Sequence, residues 1–474
     1  MMQILFVEDN ETFASQIMPL LREIPDVVVQ HERSREAGSN AVIGRMFDLV
    51  ILDLTIPPDD SSLEIASEHG QSLFHEIREF APGTSIFILT GSEPDEFSRR
   101  LARFGENIDI WGAGNGTNTV DYFLKEEVDV LLTRVAEIAA TIADTDRVEL
   151  DTRGRDLDLS EKQKRILRIF ARKAGGISCE IRSLSGGLSE ARVLRALAKN
   201  DQGRALAICA GKLGSRAGVE EEGRAYQQHV KRLKIGAFPP VYCTIDKGVG
   251  GDAGIFYSLA EDNETLFELL TRTPSTSVSI VKEVKAILDR WADAKEVSEV
   301  EIREVRQSRL SDDELAGLAG THGLAEFADI EDLRIRVSRS CVHGDLHAGN
   351  ILVGGRGEPV IIDFGDVGPG FTCIDPVTLE LSLLFHPEAL RRGFSDELRR
   401  AVELWPDVDR YVERNPLGPL IEECRDWAHD VGAGDKDVLA SGYAFAVRQL
   451  KYDTVPAEVT LSLLRTICSK LRQS

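Results

Sequence analysis

The segment that most restricts what this 474-residue chain can fold into is Cys341 to Asp366, CVHGDLHAGNILVGGRGEPVIIDFGD. Two short apolar runs, Ile351-Leu352-Val353 and Val360-Ile361-Ile362, flank Gly354, Gly355 and Gly357, a pattern that predicts a β-hairpin. Closing that hairpin gathers Asp345, Asn350 and Asp363 at one end of it. Moving a phosphoryl group from a nucleotide requires a carboxylate to accept the proton of the attacking hydroxyl, together with oxygen ligands for Mg2+. These three residues supply both. An ordinary buried hairpin with scattered polar residues would have to match several positions at once.

The order His-x-Asp, then Asn five residues past the Asp, then Asp-Phe-Gly after a strand is the catalytic signature of kinases. In the form HGDLHAGN followed by IDFGD it resembles the aminoglycoside phosphotransferase and choline kinase branch, in which a Gly follows the His and a second His sits two residues after the Asp. The resemblance implies an α+β bilobal kinase-like domain over about residues 175 to 474. It makes Asp345 the catalytic base and Asn350 and Asp363 metal ligands, with His343 bracing the loop. ATP is the implied phosphoryl donor and Mg2+ the implied cofactor. Asp375-Pro376 matches a buried capping position of the same branch. A pseudokinase that keeps the fold and binds nucleotide without catalysis stands as the alternative.

A chain of this length splits into two or three domains. Its 42% hydrophobic and 28% charged residues are ordinary for a globular protein, and its net charge of -23 disfavours a large phosphate-neutralising surface for nucleic acid. The same acidity hints at cationic acceptors. Seven scattered cysteines without a C-x-x-C pair fit buried thiols in a reducing cytoplasm rather than disulfides or zinc. No apolar run approaches the roughly 20 residues that span a bilayer, and no secretory signal is visible.

The N-terminal part alternates apolar runs with helical periodicity: Gln3 to Val7, Val27 to Gln30, Asp48 to Leu54, Ile86 to Thr90 and Tyr122 to Lys125 read as strands. Such alternation implies a five-stranded parallel sheet whose chemistry collects at the carboxyl ends of the strands. Those ends carry Glu8, Asp9, Asp53, Thr90 and Lys125. Three crowded carboxylates repel unless a cation joins them, so Mg2+ is implied here too; with metal bound, Asp53 can act as a nucleophile toward phosphorus. VEDN, ILDLTIP, ILTGS and DYFLK together resemble the response regulator receiver family, with its flavodoxin-like α/β fold. The resemblance makes Asp53 the phosphoacceptor and Glu8, Asp9 and the Thr55 carbonyl metal ligands. It makes Thr90, Tyr122 and Lys125 the switch residues, and a sensor histidine kinase the partner. Insertions at Pro57 to Gly70 and Phe104 to Thr119 depart from the family pattern. The second lies where receivers dimerise, so a homodimer is allowed but no dimer geometry carries over.

Val128 to Ala143 predicts the last receiver helix, giving a receiver over residues 1–143. Thr145 to Asp158 reads as a charged linker, and Ser160 as the N-cap of a helix reaching Gly175. That helix carries Lys162, Lys164, Arg165, Arg168, Arg172 and Lys173 on what reads as its outer face. It resembles the opening of a winged-helix DNA-binding domain, but the strand, Gly turn and strand that follow replace the recognition helix which such a domain needs. They suit a kinase small lobe over residues 175–262, with Ser185, Gly186 and Gly187 folding over nucleotide phosphates. Arg204 to Lys212 reads as a strand ending in Lys212, which matches the phosphate-holding lysine of kinases. The same resemblance implies that one of Glu220, Glu221 and Glu222 orients that lysine, with Glu222 favoured because Glu-Gly-Arg-Ala-Tyr resembles the family's register, and places Glu261 in the nucleotide hinge. Residues 263–474 read as a mainly helical large lobe interrupted only by the catalytic hairpin.

These readings converge on a cytoplasmic response regulator whose output is an ATP-dependent phosphotransferase with an unidentified acceptor. A protein kinase, a pseudokinase scaffold and, least favoured, a DNA-binding regulator are the rivals.

Overall fold

A computed structural model of the chain describes residues 1–91, 105–184, 192–260 and 263–473. Ser185, Gly186, Gly187 and Glu261, expected at the nucleotide, lie outside the described residues. The chain divides into two compact units. The first holds residues up to 184, 192–219 and 241–258; the second holds 220–240 and the residues after 258.

The first unit opens with β1 (Met2–Val7), α1 (Glu11–Glu23), β2 (Val27–Glu32), α2 (Arg35–Gly44), β3 (Leu49–Asp53), α3 (Ser67–Phe80), β4 (Ser85–Thr90), β5 (Val120–Leu124) and α4 (Val128–Asp146). The five strands are all parallel in the order β2-β1-β3-β4-β5, the flavodoxin-like arrangement in which ligands bind at the strands' carboxyl ends. Every residue of β3 is buried, as a strand covered by helices on both faces requires. Asn10 caps α1 by accepting from the Phe13 N–H at 3.1 Å, which starts the helix directly after Glu8 and Asp9 and leaves both at the mouth of the sheet.

The same unit contains a second sheet. Its strands are β6 (Glu149–Asp151), β7 (Ser178–Ser183), β8 (Arg192–Lys199), β9 (Ala205–Ser215), β10 (Val241–Ile245) and β11 (Asp252–Ser258), ordered β10-β11-β9-β8-β7-β6. Two expectations change here. Part of the expected linker becomes β6, paired in parallel with β7 and tied by Arg153 to the buried Glu180 at 2.7 Å. Lys212 does not end its strand, because β9 continues to Ser215.

The basic helix α5 (Glu161–Lys173), capped by Ser160, is not a free cationic face. Arg165 is buried and reaches the buried Asp48 at 3.0 Å, with its guanidinium 5.5 Å from the Trp111 ring. Arg172 donates to the Thr141 carbonyl and the Thr145 hydroxyl, and Lys173 to the Asp109 carbonyl. On its other side Phe170 stacks on Phe256 with centroids 4.3 Å apart. One hydrophobic core therefore runs from Leu131, Val135 and Ile142 of α4 through Ile166 and Phe170 to Ile181, Leu194 and Phe256. The inserted segment before β5 joins this seam: Trp111 sits where a Cβ on Gly248 would come within 2.7 Å of its ring. Gly83 exchanges backbone hydrogen bonds with Gly248 and Gly250.

The second unit is mainly helical, but the hairpin is not its only β-structure. Glu296–Glu301, Arg334–Val342 and Gly368–Phe371 form an antiparallel three-stranded sheet. The helix Ile374–Phe385 is buried along its whole length. All seven cysteines are free, and no helix among the described residues is long and apolar enough to cross a membrane.

Candidate functional site

The first unit brings Glu8, Asp9 and Asp53 together at the carboxyl ends of β1 and β3, with one ligand atom from each within 4.8 Å of the others. Lys125, just past β5, lies 2.7 Å from both Asp53 Oδ2 and Glu8 Oε2. Its ammonium also sits 4.8 Å from the centroid of the Phe13 ring. Thr55 donates its backbone N–H to Asp53 Oδ1 at 3.0 Å. Thr90 ends β4, and its carbonyl accepts from the Lys125 N–H at 2.7 Å. Tyr122 is half-buried on β5 against the core of the α3 face. Burial, with Asp53 close by, raises the Glu8 carboxyl to about 7 despite Lys125. Burial also raises Asp53 against the same lysine. A single lysine thus underserves three carboxylates, and a divalent cation fits that donor set.

The second unit builds the other site on the hairpin Ile351–Val353 and Pro359–Ile361, antiparallel as expected. His343 is fully buried and donates from Nε2 to the Ile362 carbonyl at 3.0 Å. That bond fixes Nδ1 as the nitrogen facing the Asp345 N–H at 3.4 Å. Asp375 accepts from the His343 and Gly344 N–H groups at 2.7 and 2.9 Å. Gly344 has φ of 83°, and a Cβ there would come within 2.5 Å of the Asp366 carbonyl oxygen, so the loop needs glycine at this point. Asn350 donates its amide to the Asp345 carbonyl at 2.9 Å, while its own carbonyl accepts from the Ile362 N–H at 3.0 Å. The loop and the residue before Asp363 are thereby locked together. Asp363 takes φ of 65°, a strained conformation for a non-glycine residue.

Lys212 lies on β9 of the first unit between Val193 and Ile255. Of the three glutamates in the helix Arg216–Gln228, Glu222 is buried, whereas Glu220 and Glu221 are exposed. Tyr226, one turn on, packs edge-on against Phe364 at 5.8 Å.

Two residues beside Asp345 carried no signal in the sequence. Arg309 and Arg448 both reach Asp345 Oδ1, at 3.3 and 3.2 Å. Burial would raise the Asp345 carboxyl, but His347, Arg448 and Arg309 outweigh it and hold the group well below the usual carboxylate range.

Residues 180–413 match the model described as the phosphotransferase enzyme family. No curated protein sequence matches the chain. Among solved structures, a CheY-like receiver domain from Methanospirillum hungatei is 14% identical, covering 30% of this chain and 98% of its own, with a TM-score of 0.22. The receiver domain of a Pseudomonas aeruginosa sensor histidine kinase, solved with magnesium in its active-site cleft, is 20% identical over 29% of this chain and 98% of its own, with a TM-score of 0.21. A thermostable mutant of the aminoglycoside phosphotransferase APH(4)-Ia, in complex with ADP and hygromycin B, is 17% identical over 61% of this chain and 99% of its own, with a TM-score of 0.32. Residues 180–413 are thus similar to the phosphotransferase enzyme family, and the N-terminal region is similar to receiver domains.

Proposed function

We propose that this chain is a two-component response regulator, phosphorylated on Asp53 by a sensor histidine kinase, whose output domain transfers the γ-phosphoryl group of ATP to a hydroxyl-bearing acceptor. The observations that support the reading are the cluster of Glu8, Asp9 and Asp53 at the strand ends of the first unit and, in the second, Asn350 tied through its side-chain amide to the Asp345 carbonyl. In the output reaction the acceptor oxygen bonds to the γ-phosphorus, and the bond to the bridging oxygen breaks with its electron pair leaving on ADP. The acceptor proton passes to Asp345. Asn350 and Asp363 would hold Mg2+, which neutralises charge on the phosphates when bound. The resemblance assigns the phosphates to Lys212 and the orientation of that lysine to Glu222. His343 and Asp375 keep the Asp345 loop in shape through the hydrogen bonds described above.

At Asp53 the carboxylate oxygen would attack the phosphorus of the donor's phosphohistidine, the P–N bond breaking with its electron pair returning to the imidazole, with Lys125 moving to the new phosphoryl oxygens and Thr90 donating to another. Glu8, Asp9 and the Thr55 carbonyl would hold Mg2+ there. Because the receiver shares one core with the second sheet through α4 and α5, displacement of Lys125 and Thr90 can alter the sheet that carries Lys212.

One observation favours the scaffold reading: Asp345 is held by two arginines, which weakens it as a base. The test is turnover of γ-labelled ATP by the full chain across acceptor classes, with and without acetyl phosphate. Label transfer that changes with acetyl phosphate supports the proposal. Equal turnover in both states removes the regulation, and no transfer to any acceptor removes the enzyme.

A further inference from the structure

The arginines at Asp345 differ from the other buried arginines of the same unit. Arg425 grips Glu380 with two bonds of 2.7 and 3.1 Å and gives a third to the Trp405 carbonyl. Arg306 bonds Glu331 at 2.6 Å and also reaches Asp312 at 2.6 Å and the Leu310 carbonyl. These are charge-assisted bonds at full strength, with the guanidinium donors spent. Arg309 is as deeply placed, its side chain 7% exposed, yet it makes one bond of 3.3 Å to Asp345. It stands 3.8 Å from Asp366, and its Nε is buried with no hydrogen-bond partner among the described residues. Arg448, in the last turn of the helix Asp435–Gln449, reaches the same Asp345 oxygen at 3.2 Å. A guanidinium has five N–H donors and no way to shed its charge. Leaving a buried one under-partnered is costly, and burial beside Arg448 depresses Arg309's hold on its proton.

Two under-used guanidiniums flanking one carboxylate form a fork for a second oxyanion. Occupation of that fork would also relieve Asp345, because each N–H turned toward the newcomer is withdrawn from Oδ1. We propose that the phosphate acceptor of this domain is a small hydroxylated anion, whose carboxylate or phosphate group is bound by Arg309 and Arg448 while its hydroxyl faces Asp345. This rests on the phosphotransferase reading and gives it a substrate class. It reverses the cationic preference suggested by the chain's overall acidity, since what decides is the field at the site. The anion positions the hydroxyl and frees the base that takes its proton, so an unloaded site keeps Asp345 quenched and hydrolyses ATP poorly.

The test uses the full chain with Mg2+ and ATP and matched acceptors: glycerate and glycerol 3-phosphate against glycerol, and gluconate and glucose 6-phosphate against glucose. Melting shifts are read alongside turnover. One anionic member is expected to stabilise the chain and to show a KM at least 10-fold below that of its neutral counterpart. The carboxylate and phosphate arms identify which oxyanion is preferred. Arg448→Met should raise that KM 10-fold or more without changing the KM for ATP, and Arg448→Lys should restore part of the loss. Neutral acceptors used as well as their anionic partners would overturn the inference and leave the phosphotransferase standing. Anion-dependent stabilisation lost in Arg448→Met, without phosphoryl transfer, keeps the anion site and removes the phosphotransferase. Neither stabilisation nor transfer removes both.

Discussion

The two acidic sites of this chain have opposite charge balance. In the first unit, three carboxylates share one lysine, and burial with mutual repulsion pushes Glu8 up to about 7. In the second unit, one carboxylate is flanked by two arginines and His347, and Asp345 is pulled down. The first arrangement lacks positive charge and is suited to capturing a divalent cation; the second has cation donors to spare and is suited to capturing an anion. Under the proposed function both carboxylates act on phosphorus chemistry, so residue type alone does not separate the nucleophile from the base. The surrounding charge does. A carboxylate that must attack phosphorus works beside metal, whereas one that must take a proton has to be released from its cations at the moment of reaction.

The largest effects should come from neutralising each carboxylate in turn. Asp345→Asn keeps the shape and removes the proton acceptor, so ATP-dependent transfer should fall by about 10² to 10⁴, while Asp53 still takes label from a small phosphoryl donor. Asp53→Asn should do the converse, abolishing that labelling and any response of turnover to it. If Asp345→Asn turned over normally, Asp345 would not be the base and the contrast between the two sites would lose its meaning.

Much of this contrast could be anticipated from the chain itself. The five strands of the parallel sheet are short apolar runs ended by polar residues, because a strand covered on both faces has nowhere to place a charge. The hairpin announced itself through its glycines. Motif spacing brought Glu8, Asp9 and Asp53 into one group, and local sequence linked Asp345 to Asn350. What escaped detection depends on partners distant in sequence. Arg309 and Arg448 lie 36 and 103 positions from Asp345, and nothing local distinguishes them from surface arginines. Arg165 read as part of a solvated basic face, since a helix cannot disclose that Asp48, 117 residues earlier, waits beneath it. The inserted segment ending at Thr119 looked like a tolerated loop, yet it delivers Trp111 into the seam between the two sheets.

A sharper probe of the receiver side removes its single cation. Lys125→Met leaves Glu8 and Asp53 facing each other without a counter-charge, and breaking a buried ion pair by deleting one partner costs about 3–5 kcal/mol. Denaturant unfolding in EDTA should register a loss of that order. Mg2+ should restore most of it, because the ion enters the same oxygen cluster, and the variant should bind Mg2+ more tightly than the parent chain. A loss that Mg2+ cannot repair would mean that the cluster is held by packing rather than by charge.

The smallest effect concerns acid, and it belongs to the second unit. His386 stacks against Phe267 with centroids 4.8 Å apart, lies 4.6 Å from His347, and accepts the Glu388 N–H on Nδ1 at 3.1 Å. Burial, with His347 beside it, lowers His386 from its usual 6.5 to about 3. The unfolded chain therefore binds a proton between those values that the folded chain does not. Stability should fall as the pH drops below about 6.5, by at most about 1.4 kcal/mol per pH unit from this group. His386→Asn retains an oxygen able to accept the Glu388 N–H and removes the titration. Its unfolding free energy should vary less steeply than the parent's between pH 6.5 and 4. An unchanged slope would show that the acid sensitivity arises elsewhere, and that this imidazole contributes only its cap and its stacking.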